Sequence, residues 1–129
     1  MRNITKTLPF WANVEAVLAA TSSTTKTVTA DSKERLIIER ITADVRTTAS
    51  YAVADHLNMV ELQSKVNGSY TRGEAPLYAI AGKASVSIPV FLPEEITIEP
   101  GASLDAIIRN VSATAETVQL TFIGRREVV

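Results

Sequence analysis

The dominant pattern along the chain is an alternation of apolar and polar residues with a period of two, which begins near Thr24. Successive side chains of a β-strand point to opposite faces, so each alternating run predicts a strand with one face in a core. The residues expected in the core are Val60, Leu62, Ser64 and Val66, then Val86, Ile88, Val90 and Leu92, then Ile96, Ile98, Leu104, Ala106, Ile108, Val118, Leu120 and Phe122.

Residues 35–45 depart from this alternation, because Leu36, Ile37 and Ile38 are consecutive apolar residues. Such a run is typical of a strand that is covered on both faces. Its β-branched residues and the preceding Asp31-Ser32 turn favour a strand over a helix. Asn67-Gly68 and Pro100-Gly101 are turn sequences that separate the predicted strands.

About eight short strands with regular turns predict an all-β fold, an antiparallel β-sandwich of jelly-roll or Greek-key type. A chain of 129 residues is the length of one ordinary domain, and we assign residues 24–129 to it. Residues 1–23 are predicted to be an N-terminal arm or a first strand. Within them, residues 10–20 fit a helical stripe as well as a strand face, and we favour a strand or an irregular arm.

Composition narrows the classes of partner. The chain has 13 basic and 14 acidic residues, a formal net charge of -1, and no cysteine. The charge balance argues against a nucleic-acid partner, and the lack of cysteine excludes disulfides and thiolate metal sites. No run approaches the ~20 apolar residues of a membrane span, so no membrane partner is expected. Asn13 and Glu15 interrupt the apolar stretch that a secretion signal would need, which predicts a soluble protein that is made inside the cell.

Candidate catalytic chemistry is sparse. His56 is the only histidine, and the adjoining Asp55 would face the opposite side of a strand. No Gly-x-Ser-x-Gly elbow and no phosphate-binding glycine loop occurs. A calcium site built from Glu94, Glu95 and Asp105 stays open beside the simpler interpretation of solvated acids. We therefore expect no enzyme activity and no cofactor.

Apolar residues on the predicted outer faces raise the question of a protein partner. Ile107, Ile123, Phe91 and either Leu36 or Ile37 lie opposite the alternating core set. A few exposed apolar residues are ordinary, whereas a contiguous group marks an interface. The residues we expect to contact a partner are Phe10, Trp11, Tyr70, Arg72, Tyr78, Ile107, Ile123, Arg125 and Arg126.

The C-terminal pattern PVFLPEEITIEPGASLDAIIRNVS followed by ETVQLTFIGRR resembles the ending of small β-sandwich structural proteins of tailed bacteriophages, including capsid cement or decoration proteins. The shared features are a strand, a Pro-Gly turn, a strand that ends in Arg-Asn, and a last strand that ends in Phe-x-Gly. The resemblance covers about the last 40 residues.

This resemblance implies a non-enzymatic component of the virion, located on the capsid surface and made in the host cytoplasm. It also implies a homotrimer that binds the major capsid protein. Two other hypotheses stay open: a carbohydrate- or ligand-binding β-sandwich module, and a head-to-tail or tail accessory protein. Oligomeric state separates the last of these from a cement protein, because a ring of six or twelve subunits fits the tail axis.

Overall fold

The structure is a computed structural model that describes residues 6–47, 59–66, 69–76, 82–83 and 91–128. Within these ranges the chain is all-β, as the sequence pattern predicts. The strands are β1 (Lys6–Leu18), β2 (Ser23–Thr29), β3 (Glu34–Thr47), β4 (Val60–Val66), β5 (Ser69–Pro76), β6 (Gly82–Lys83), β7 (Phe91–Ile98), β8 (Ser103–Asn110) and β9 (Glu116–Val128).

The strands form two sheets, which we name after a central strand of each. The β9 sheet has the order β1-β9-β3, with β6 and β7 both paired to β3. The β8 sheet has the order β2-β8-β4-β5. All pairs are antiparallel except the two-residue contact between β3 and β6. Residues 6–18, for which a first strand or an arm was expected, form β1 and pair with β9 along their whole length.

The antiparallel pairs are nested along the chain. β4 pairs with β5, β3 with β7, β2 with β8, and β1 with β9. The outermost pair brings Lys6 opposite Val128 and Leu18 opposite Glu116. Two further ladders, β3 with β9 and β4 with β8, join these pairs into the two sheets. Most neighbours in each sheet are therefore far apart in sequence.

The inner faces of both sheets share one hydrophobic core, which gives a β-sandwich-like arrangement. The prediction of the C-terminal core residues is confirmed, since all eight from Ile96 to Phe122 are at most 5% exposed. Val60, Leu62 and Ser64 are buried as predicted, and Val66 is half-buried against the core. Leu92 is buried too, whereas Val86, Ile88 and Val90 lie outside the described residues.

The consecutive apolar residues of β3 are covered on both faces, as predicted. Leu36 and Ile38 belong to the core, while Ile37 is buried on the opposite face of the sheet. After Ile38 the strand has a β-bulge, where the pairing with β9 shifts between Ile38 and Arg40. Glu39 is the extra residue of this bulge.

Of the two predicted turns, the structure describes one, Pro100-Gly101. Gly101 of the Pro100-Gly101 turn has a φ of 76°, a conformation that glycine adopts without steric cost. Asn67-Gly68 and the Asp55-His56 pair lie outside the described residues. Among the residues that are described, no helix is long and apolar enough to cross a membrane.

Candidate interaction surface

The outer face of the β9 sheet presents an exposed aromatic residue beside aliphatic and cationic side chains. Trp11 of β1 is 66% exposed and is paired with Ile123 of β9, which is paired in turn with Arg40 of β3. Ile123 and Arg40 are half-buried. The next row of the same face holds Pro9, Arg125 and Ile37. We call these two rows the tryptophan face: Pro9, Trp11, Ile37, Arg40, Ile123 and Arg125.

An ion-pair network holds Arg125 in this face. Its guanidinium donates hydrogen bonds to the Glu39 carboxylate at 2.6 Å and to both carboxylate oxygens of Glu95, at 3.1 and 3.4 Å. The hydrogen bonds to Glu95 and Glu39 raise the pKa of Arg125 above its ordinary value. Because the three residues belong to β9, β3 and β7, the network ties three strands together and fixes a cation next to Ile123.

The β3 bulge explains how the network forms. The extra residue, Glu39, lies between Ile38 and Arg40 and reaches Arg125 across the pair. The bulge brings the β3 backbone so close to β9 that a Cβ atom at Gly124 would overlap the carbonyl oxygen of Ile37. Glycine at position 124 is therefore a requirement of the bulge, and the bulge supplies one of the two acids that hold Arg125.

Polar residues line two depressions on the same outer face. A depression of about 400 Å³ is lined by Asn13, Glu15, Gln119 and Thr121, together with Val14 and Leu120. The Thr121 hydroxyl donates a 2.7 Å hydrogen bond to Asn13 Oδ1. A second depression of about 180 Å³ shares Glu15 and Gln119 and adds Asp44, Arg46 and Thr117. We call the two together the polar trough, and it begins at Asn13 and Thr121, the next outward-facing pair after Trp11 and Ile123.

The structure brings together three of the nine predicted contact residues, Trp11, Ile123 and Arg125. Ile107 lies on the outer face of the other sheet, half-buried between Thr25 and Gln63. Phe10 faces inward and packs against the core. The two outward isoleucines therefore belong to separate surfaces.

The remaining contact candidates are placed only in part. Arg126 lies 3.5 Å from Glu34, and its Nε is buried without a hydrogen-bond partner among the described groups. Tyr70 and Arg72 belong to β5, where the structure describes the backbone and not their side chains. Tyr78 lies outside the described residues.

A buried polar cluster between β8 and β9 was missed by sequence reasoning. The Asn110 amide is fully buried and donates to the carbonyl oxygens of Leu18, Ala19 and Thr114, at 3.3, 3.2 and 2.8 Å. Its Oδ1 accepts from the Ser112 amide at 2.9 Å. Ser112 and Thr114 also donate to the buried Glu116 carboxylate. The alternation of polar side chains directly after β8 is the signal that could have indicated a structured connection.

Two of the acids considered for calcium, Glu95 and Asp105, lie on different sheets, and the side chain of Glu94 is outside the described ones. Glu95 binds Arg125 on the β9 sheet, whereas Asp105 accepts a hydrogen bond from Thr27 on the outer face of the β8 sheet. In the part of the chain that the structure covers, no group of three or more His, Cys, Asp or Glu residues could hold a metal ion. Comparisons with protein-family models, with curated proteins and with solved structures find no match for this chain.

Proposed function

We propose that this chain is a non-enzymatic structural protein of a virion, a capsid cement or decoration protein that binds the major capsid protein. The nested pairing of the strands is the observation that carries the proposal. With the two-residue β6 set aside, eight strands form one antiparallel ribbon whose pairs are distributed over two sheets. We take this to be a jelly roll, an architecture used by viral capsid and lectin domains.

The tryptophan face is the surface that we propose docks on the shell. Its apolar centre, Trp11 and Ile123, is bordered by Arg40 and Arg125. Tryptophan and arginine are enriched in protein interfaces, and residues of this kind carry much of the binding energy. Capsid symmetry would repeat the contact at the tryptophan face many times over the shell. The summed contacts would stabilise the shell although each one buries little surface.

The resemblance to phage proteins implies a homotrimer for this role. A trimer fits junctions between capsomers, whereas a ring of six or twelve subunits would favour the tail accessory hypothesis. A strictly monomeric protein that also fails to bind shells would contradict both.

The test uses virus particles from the culture that carries the gene. After purification on a density gradient, mass spectrometry should find the protein in intact particles at a fixed ratio to the major capsid protein. Ile123→Asp should abolish incorporation, because it places a carboxylate at the centre of the tryptophan face. Ile107→Asp, the equivalent change on the other sheet, is the control and should be incorporated normally. Absence of the wild-type protein from particles would overturn the proposal.

One observation favours the carbohydrate-binding hypothesis as a second candidate. The polar trough offers amide and carboxylate groups next to the exposed indole of Trp11, and sugars bind to an aromatic ring flanked by such groups. Trp11 is the only tryptophan, so its fluorescence reports on this site alone. A saturable fluorescence change on titration with oligosaccharides, lost in Asn13→Ala, would favour this candidate over cement.

A further inference from the structure

We infer that β1 pairs, edge to edge and antiparallel, with β1 of a second copy of this chain, about a two-fold axis at Val14. The inference is independent of any role in a virion. It stands on the outer edge of β1, which pairs with no strand in the described ranges, on the incomplete burial of its inner face, and on a sequence in β1 that is complementary to itself.

The outer edge of β1 has few of the features that block strand addition. Within the described ranges, β1 is hydrogen-bonded to β9 alone. From residue 10 to residue 18 it has no proline, no bulge and a single charged residue, Glu15. Natural edge strands are blunted by lysine, proline, bulges or charges that point inward, so a long regular edge is a site for pairing.

β2, the edge strand of the other sheet, shows the contrast. Lys26 alternates with the buried Val28 and is half-buried, so it points to the inner side of the sheet edge. An inward charge of this kind discourages pairing at β2. The two edges therefore differ: β2 carries an inward charge, whereas β1 carries none from residue 10 to residue 18.

The inner face of β1 lies at the edge of the core, where burial of its side chains is incomplete. Phe10, Ala12 and Val14 pack against the core but are only partly buried, whereas Ala16 and Leu18 are buried. In the inferred contact, Phe10 lies opposite the partner's Leu18 and Ala12 opposite the partner's Ala16. Val14 lies opposite its own copy. The partner's β1 side chains then cover the parts of Phe10, Ala12 and Val14 that are exposed in the monomer.

The outer face of β1 is self-complementary in the same register. Trp11 and Val17, 66% and 64% exposed, lie at equal distances on either side of Val14. Trp11 then lies opposite the partner's Val17, and aromatic residues paired with β-branched residues stabilise neighbouring strands. Asn13 lies opposite the partner's Glu15, so an amide faces a carboxylate and no like charges meet.

Other registers are less favourable. An axis at Glu15 would place this carboxylate opposite its own copy, and like charges directly opposite are destabilising. An axis at Asn13 would place Trp11 opposite the partner's Glu15. Registers shifted by one residue would turn the partner's core-facing side chains outward. The pattern of β1 therefore selects the axis at Val14.

The contact has a consequence for assembly. It joins two five-stranded sheets into one continuous sheet, and it relates the copies by a two-fold axis. The protein should therefore form a dimer of twice the 13.9 kDa chain mass, or another even-numbered assembly such as a pair of trimers.

Cysteine cross-linking tests the register, because the chain has no cysteine of its own. In Val14→Cys, the two introduced thiols lie on opposite residues, within the Cα separation that a disulfide spans. We expect oxidation to give a cross-linked dimer. Lys6→Cys is the control: the two copies of residue 6 would lie roughly 50 Å apart and should not cross-link. Equal cross-linking at both positions, or none at Val14→Cys, would overturn the inferred register.

A charge pair at an exposed position tests the contact without disturbing the fold. In Asn13→Glu, residue 13 of each copy places a carboxylate opposite Glu15 of the other copy, which gives two like-charge pairs per dimer. In Asn13→Lys, the same two positions hold opposite charges. Both changes replace the amide oxygen that accepts a hydrogen bond from Thr121. We expect the dimer Kd, measured by analytical ultracentrifugation, to be roughly tenfold or more higher for Asn13→Glu than for Asn13→Lys.

Thr25→Glu, on the outer face of β2, is the matched control and should leave the Kd unchanged. Equal Kd values for the two Asn13 variants, a monomeric wild-type protein, or an odd-numbered assembly would each contradict the inference. Incorporation into virus particles is measured separately, so failure of this contact and failure of the proposed function give different results.

Discussion

Gly124 shows how a single hydrogen atom in place of a methyl group can determine the path of a strand. A Cβ atom at this position would overlap backbone atoms of Ile37 in β3, so the bulge cannot form as it stands beside any other residue. Gly124→Ala should lower the free energy of unfolding by about 2–3 kcal/mol, because backbone has to move to relieve the overlap. Urea denaturation followed by circular dichroism measures this loss.

Gly101→Ala is an informative comparison for that variant. A Cβ at Gly101 meets no atom within 4 Å, so only the positive φ of 76° opposes the substitution. Its cost should be about 1–2 kcal/mol. A larger loss at Gly101 than at Gly124 would show that the overlap at the bulge is relieved easily.

Asn110 fixes the connection between the two sheets through its amide nitrogen. Asn110→Asp keeps the acceptor for the Ser112 amide but turns a carboxylate oxygen toward three carbonyl oxygens, those of Leu18, Ala19 and Thr114. The two N–H groups of the amide make these three contacts, so one N–H is shared between two carbonyls. Losing both donors at about 1 kcal/mol each, and placing a buried carboxylate against carbonyl oxygens, predicts a loss of roughly 3 kcal/mol or more in unfolding free energy. Thermal and urea denaturation measure it, and Ala113→Ser, at an exposed position of the same loop, should change little. A stable Asn110→Asp variant would show that the loop holds its shape without these bonds.

Among the elements, β2 has an inward-pointing lysine, Lys26, whose effect on strand pairing can be tested directly. Lys26→Val removes the inward charge from this edge strand, so a second regular edge becomes available for pairing. We expect an increase in large oligomers, seen by light scattering at raised protein concentration. Thr25→Val, on the outer face of the same strand, keeps Lys26 and should scatter far less. Similar scattering by both variants would mean that apolar surface, and not the loss of the charge, drives association.

Strands were the elements that the sequence predicted best. Alternation is a local property, and it identified the core side of β4, β7, β8 and β9 from residues such as Val60, Leu104 and Phe122. It could not separate an arm from a strand at residues 10–20, because β1 is defined by pairing with β9 some 100 residues away. The bulge at Glu39 could not be predicted from the sequence either, because it depends on the pairing of β3 with β9.

The sequence predicted several residues of the interaction surface, but not which of them lie next to one another. Trp11, Ile123 and Arg125 were each expected to contact a partner, and nesting of the strands places them side by side. Phe10 adjoins Trp11 in sequence but faces the core, because neighbours on a strand point to opposite faces. Glu39 and Glu95 join the network through tertiary pairing that no local pattern encodes.

At the scale of the whole molecule, β1 is part of the core and not an appendage to it. Removing residues 1–20 would delete Ala16 and Leu18 from the core and leave β9 unpaired along one edge. We expect such a protein to lose its cooperative thermal transition, measured by circular dichroism. Trp11→Ala, which changes only an exposed side chain, should retain the transition. A truncated chain that unfolds cooperatively would show that β2 to β9 fold as a unit without β1.

The pairing of Lys6 with Val128 also determines when the protein can finish folding. During synthesis, β1 emerges well before β9, its only partner among the described strands. At 5–20 residues per second, the roughly 100 intervening residues take about 5–20 s to make. For that time Phe10, Val14 and Leu18 have no core to enter, and contacts so distant in sequence form slowly even afterwards. The same open edge that suits β1 for pairing in the native state makes the nascent chain a substrate for chaperones until β9 has been made.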